Sequence, residues 1–151
     1  MGAIAWSQDQ ASWPSDVYAW AATNYPGRKL SEAPQWIQDV TLVAQLHAEV
    51  FNGGFNQYMY NTRGWWLDEL LAACSRVNLP ELDPLIREGG SAWLAVFDDP
   101  SFQGLLDGSP EGFQGVYQRI DLTGLDRRFY EFDALVDVRL TDYVNRNRAG
   151  A

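Results

Sequence analysis

Cysteine and histidine are almost missing from this chain, with one of each in 151 residues. A lone Cys74 excludes an internal disulfide. Together with a lone His47 it also excludes a zinc centre built from several His and Cys ligands. Positive charge is scarce too: 11 Lys and Arg face 20 Asp and Glu, for a net charge of −9. A surface this acidic repels phosphate, so direct binding to nucleic acid or to an anionic membrane is not expected. No apolar run approaches the roughly 20 residues of a membrane span. Met1 to Gln10 has neither the basic start nor the apolar stretch of a signal peptide, and a cytoplasmic location is expected. The phosphate-binding GxxxxGK[ST] and GxGxxG sequences and the GxSxG nucleophile elbow are all missing. No cofactor and no metal are expected, and strand-like alternation never lasts more than a few residues.

What the chain does have is apolar and aromatic mass: 46% hydrophobic residues, with seven each of Trp, Tyr and Phe. That is ample for one self-sufficient core. Helical periodicity dominates. A short helix is expected from Ser15 to Thr23, ended by Tyr25-Pro26-Gly27. Trp36, Val40, Val43, His47 and Val50 recur at spacings of four and three, which predicts a helix from Pro34 that stops at Asn52-Gly53-Gly54. A second short helix follows over Phe55 to Asn61, and another carries Trp66, Leu70, Cys74 and Val77. Glu81 to Glu88 predicts two turns ending at Gly89-Gly90, with a separate helix over Ser91 to Phe97. Residues 98 to 115 read as loop, being rich in glycine and proline. Thr123-Gly124-Leu125-Asp126 opens a last helix with an apolar face at Leu125, Phe129, Phe132, Val136, Leu140 and Tyr143. The expected fold is all-α, a single globule of about six or seven helices. Residues 1–30 are expected as an extension with a short helix, 31–147 as the domain, and 148–151 as a frayed tail.

Catalytic candidates are few. His47 is the only side chain that titrates naturally near neutrality, but it lies on an apolar stripe, as Cys74 does. Both are expected as packed residues rather than as a dyad. Asp68 and Glu69 are adjacent on a helix and face apart. Asp98-Asp99 lacks the spacing of a calcium loop.

The most distinctive stretch is Glu49-Val50-Phe51-Asn52-Gly53-Gly54-Phe55-Asn56-Gln57-Tyr58-Met59-Tyr60-Asn61. Two glycines between helices permit a sharp turn, and Gln57 and Asn61 share one face. Read from the residues, it is either a helix–helix corner or a polar, aromatic patch that meets a partner. Glu49, Val50, Asn52, Gly53, Gly54, Phe55, Gln57, Tyr58 and Asn61 resemble the signature of the bacterial DNA-mimic-protein C-terminal-domain-like family. Leu125-Asp126-Arg127-Arg128-Phe129-Tyr130 is similar to that family's final helix. The resemblance covers about residues 31 to 147. It implies an all-α, non-enzymatic domain that binds a DNA-binding repressor in place of DNA. Related domains lie near toxin genes, which implies immunity proteins as an alternative.

Charge patterning offers a surface for such a role. Residues 81 to 111 hold Glu81, Asp83, Glu88, Asp98, Asp99, Asp107 and Glu111 against Arg87 alone. Asp126, Asp133 and Asp137, spaced by seven and four, are expected to line one face of the last helix. Of the consecutive Trp65 and Trp66, one must leave the core, and an exposed Trp65 would be an anchor. The expected partner surface is therefore Asp98, Asp99, Asp107, Glu111, Asp126, Asp133, Asp137 and Trp65. The leading expectation is an acidic inhibitor of a basic DNA-binding protein. The alternatives are a toxin-blocking immunity protein, a carboxylate-based enzyme and an oligomeric structural module. Monomer and dimer are both open.

Overall fold

A computed structural model describes residues 1–149; Gly150 and Ala151, part of the expected tail, lie outside the described residues. Every regular element among them is helical. The elements are α1 (Trp13–Asn24), α2 (Gln35–Thr62), α3 (Leu67–Arg76), α4 (Asp83–Phe97), α5 (Pro100–Gln103), α6 (Pro110–Arg119), α7 (Thr123–Tyr130) and α8 (Asp133–Arg148). Three short 3-10 turns join them, at Gln10–Ser12, Gly27–Glu32 and Pro80–Leu82. The class is as expected. The count is higher than six or seven: eight α-helices among the described residues, or nine rods when the two halves of α2 are counted apart.

The axle is α2, which packs against α1, α3, α4, α6, α7 and α8. Neighbours on all sides explain why it buries more than one stripe, with Ile37, Val40, Leu42, Val43, Leu46 and Val50 all enclosed. Halfway along, Gly53 and Gly54 leave helical geometry and the axis bends. The second half buries Phe55, Tyr58 and Met59. Arg63, at φ 57, closes the helix in the left-handed conformation.

Residues 1–30 pack into the same core. Val17, Ala21 and Leu30 are buried, α1 lies on α2 and α8, and Arg148 at the end of α8 stacks 3.7 Å over the Trp13 ring.

Three expectations about boundaries need correction. Gly89-Gly90 does not end a helix, because α4 runs through both. They are buried where α4 meets its neighbours: a Cβ on Gly89 would lie 3.3 Å from Phe55, and one on Gly90 3.1 Å from Leu67. Glycine here permits close approach rather than a stop. Residues 98 to 115 are not a loop, since Pro100 and Pro110 sit in the first turns of α5 and α6, behind Asp99 and Ser109 as side-chain caps. The final helix is two helices, α7 and α8, separated at Glu131-Phe132.

Candidate functional site

The Asn-Gly-Gly-Phe stretch is an internal clasp at the bend of α2. In a straight helix Glu49 would stand about 12 Å from Gln57 and about 18 Å from Asn61 along the axis. Instead one Glu49 carboxylate oxygen accepts from Gln57 Nε2 at 2.6 Å and from Asn61 Nδ2 at 2.8 Å. That reach requires the sharp turn at the glycines. Gly54 has φ 82 and ψ −180, a conformation essentially reserved for glycine. It turns the Phe55 N–H toward Asp126, whose carboxylate accepts it at 2.8 Å. Asn56 Nδ2 donates to the Ile120 carbonyl, and the Tyr117 hydroxyl donates to the Gly53 carbonyl. Glu49, Gly53, Gly54, Phe55, Gln57 and Asn61 all take part in this helix–helix corner. Tyr58 is buried beside them, and Asn52 alone of the polar signature residues is exposed without a side-chain hydrogen bond among the described residues.

The proposed acid surface divides into free, paired and structural carboxylates. Asp98, Asp107, Glu111 and Asp137 are exposed and make no ion pair among the described residues. Asp99 is exposed but pairs with Arg119 at 2.6 Å. Within 81 to 111, Asp83 pairs with Arg87 and Glu88 with Arg128, so three of the seven acids are neutralised. Two of the cations come from later in the chain, which the local count against Arg87 alone could not register. Asp126 is half-buried at the α2 bend and belongs to the clasp. Burial raises its pKa, the Phe55 N–H pulls it back down, and nearby Asp121 pushes it up again. It does not share a helix with Asp133 and Asp137, so the expected three-acid row is a two-acid row.

A recurrent device fixes several of the exposed acids. In Asp99-Pro100-Ser101, Asp107-Gly108-Ser109 and Asp121-Leu122-Thr123, each carboxylate accepts both the hydroxyl and the backbone N–H of the residue two positions on. The hydroxyl bond, followed by the backbone bond, holds each carboxyl below the usual carboxylate range. These are oriented, persistently ionised carboxylates rather than charges at the ends of mobile chains.

Two features escaped the sequence reading. Asp39, fully buried on α2, receives two guanidinium bonds from Arg76 on α3 at 2.8 and 2.7 Å, the Tyr143 hydroxyl from α8 at 2.6 Å, and Gln35 Nε2 at 3.1 Å. It ties three helices together, and its one sequence signal is an acid directly before the stretch Val40-Thr41-Leu42-Val43. Phe51 and Tyr130 form an exposed aromatic pair with ring centres 4.9 Å apart. Trp65 is 59% exposed, as expected of one member of the Trp pair, with the Arg28 guanidinium 4.5 Å from its ring centre. Beside it lies a cavity of about 290 Å³ lined by Tyr18, Tyr25, Thr41, Asn61 and Trp66. The buried Thr41 hydroxyl has no hydrogen-bond partner among the described residues.

His47 is half-buried, and its Nε2 lies 2.7 Å from an Asp133 oxygen. Cys74 is buried, and burial pushes its thiol up to about 12, so it offers no nucleophilic thiolate at neutral pH. Among the described residues no helix is long and apolar enough to cross a membrane.

Fold and surface together define a class: an acidic all-α domain organised around a clasped, kinked central helix. The family model for DMP19-like protein matches residues 31–147, and the chain belongs to that family. No curated protein and no solved structure matches the chain.

Proposed function

We propose that this protein is a non-enzymatic inhibitor that binds a basic DNA-binding protein by presenting carboxylates where that partner's DNA would lie. The observation that carries the reading is the set of exposed Asp98, Asp107, Glu111 and Asp137, unpaired among the described residues, on a chain of net charge −9. Membership of the DMP19-like family, which is a family of DNA mimics, supports it. A DNA mimic has to reproduce fixed negative charge, because duplex DNA carries one charge per roughly 1.7 Å of axis. The Asp-x-Ser/Thr turns of Asp107 and Asp121 supply charge of that kind, held in place and ionised, whereas the charge of Asp99 is met by Arg119. The clasp at Gly53-Gly54 has a supporting role: it sets the angle between the two halves of α2, on which α6, α7 and α8 are mounted.

The test is a tagged pull-down from the native host, washed across a salt ladder, beside a variant carrying D98N, D107N and E111Q. A basic DNA-binding protein that leaves at moderate salt and is not held by the neutralised variant supports the reading. Screening shortens the reach of exposed charge to about 8 Å at physiological salt and about 3 Å at 1 M. Retention in molar salt would contradict charge mimicry.

A toxin-blocking immunity role is the second reading, favoured by one feature. Trp65 stands exposed at the rim of a cavity, as an interface anchor would. In that case Trp65→Ala would abolish capture and the neutralised variant would not.

A further inference from the structure

The absence of several His and Cys ligands leaves one kind of metal site open, and the fold brings its parts together. His47 projects from the middle of α2, and Asp133 and Asp137 stand one turn apart on α8, which packs against α2. One ligand atom from each of the three side chains lies within 4.8 Å of the other two. We propose that His47, Asp133 and Asp137 form a binding site for a single divalent transition-metal ion of the zinc type, with water completing the coordination.

The donor set decides the metal class. One imidazole nitrogen and two carboxylate oxygens neutralise a dication, and nitrogen favours zinc-like ions over magnesium or calcium. Three protein ligands with an open position is the pattern of solvent-accessible zinc sites. Bonds of about 2.0–2.2 Å in a tetrahedron set donor atoms roughly 3.3–3.6 Å apart. The 2.7 Å contact between His47 and Asp133 must then open by about 0.6–0.9 Å, and Asp137 must close by at most about 1.5 Å. Asp133 is half-exposed and Asp137 exposed, so both can rotate that far without disturbing the core.

The imidazole is the fixed member. Phe51 and Phe129 pack on it with ring centres 4.9 and 6.1 Å away, and its helix is held from all sides. Packing of this kind orients a first ligand before the metal arrives. The site shares Asp137 with the proposed acid surface but does not rest on the mimic reading. If it bound no metal, the exposed acids at residues 98 to 111 would be untouched.

The experiment is calorimetric titration of the untagged full chain with zinc chloride, at neutral pH and about 0.15 M salt to suppress diffuse binding to surface acids. It is paired with nitrogen NMR of the imidazole, which is unambiguous because the chain has a single histidine. The expected result is one saturable site per chain, with the His47 Nε2 signal moving as zinc is added. His47→Gln should weaken binding by at least about 100-fold, the upper end of what losing even an outer-shell partner costs. Asp137→Asn, an exposed change that leaves the His47–Asp133 contact in place, should weaken it about tenfold. No saturable binding, binding unchanged in either variant, or an imidazole signal that ignores zinc would each overturn the site.

Discussion

Replacing Gly54 by alanine should be among the most damaging single-methyl additions this fold can receive. At φ 82 and ψ −180 a side chain meets its own backbone, which costs about 1–3 kcal/mol. The added Cβ would also collide with the Asp126 carboxylate. Moving that carboxylate breaks its bond to the Phe55 N–H, a charge-assisted bond worth about 1.5–3 kcal/mol. The two effects together predict a loss of about 3–5 kcal/mol, and at about 2–4 °C per kcal/mol for a domain of this size a melting point lower by roughly 6–20 °C. Gly53 is a built-in comparison. Its φ of −154 lies outside the left-handed region, and its Cβ would meet only Gln57, whose amide end can swing aside at the cost of its bond to Glu49 while its Cβ, 3.0 Å away, must give slightly. Gly53→Ala should therefore cost less, about 1–2 kcal/mol. Urea unfolding followed by circular dichroism measures both. Gly54→Ala combined with Asp126→Ala should be less than additive, because the second change removes the group that the first one strikes. A Gly54→Ala loss below about 1 kcal/mol, or a Gly53→Ala loss equal to it, would refute the clasp.

Other perturbations probe the rest of the account. Asp39→Ala strands the Arg76 guanidinium and the Tyr143 hydroxyl and should cost about 3 kcal/mol in urea unfolding, at the low end for a buried pair because Arg76 reaches water; a neutral result would mean that Asp39 does not tie the helices together. Asp99, Asp107 and Asp121 have lowered folded-state pKa values, so their stabilisation is present above the unfolded value near pH 4 and is lost as pH falls through the folded value. A variant carrying D99N, D107N and D121N should have a flatter acid limb, read as the pH dependence of the unfolding midpoint. Asp126 acts with the opposite sign, since its raised pKa favours folding as pH falls, and Asp126→Asn should steepen that limb. Cys74 should react with a thiol reagent at neutral pH only as fast as the protein opens, and immediate full labelling would contradict its burial.

The sequence disclosed what depends on local pattern. The existence of α1, the stripes of α2 and α3, the break at Gly53-Gly54 and the exposure of one tryptophan of the pair all follow from periodicity and sterics within a few residues. What it concealed depends on neighbours. Gly89-Gly90 reads as a terminator until Phe55 and Leu67 are seen pressing on it. Pro100 and Pro110 read as breakers, although proline behind an Asp or Ser cap is also a start. The division between α7 and α8 falls at Tyr130-Glu131-Phe132-Asp133, where no glycine or proline announces it. At the surface, the pairing of Asp99 with Arg119 and of Glu88 with Arg128 cancels charges that a count along the chain leaves open. The stretch around Asn-Gly-Gly-Phe was legible as distinctive, but Glu49, Gln57 and Asn61 bond to one another in the clasp, and Asp126 is drawn away from the acid row by the Phe55 N–H.

The central claim, that fixed carboxylates stand in for DNA, is tested most directly by competition. The partner recovered from the native host is bound to this protein and titrated with duplex DNA, at two salt concentrations, beside the D98N, D107N and E111Q variant. The account predicts mutually exclusive binding, an affinity that falls steeply with salt, and a neutralised variant that DNA displaces far more readily. A ternary complex of partner, DNA and this protein, or a neutralised variant that competes as well as the native chain, would contradict it.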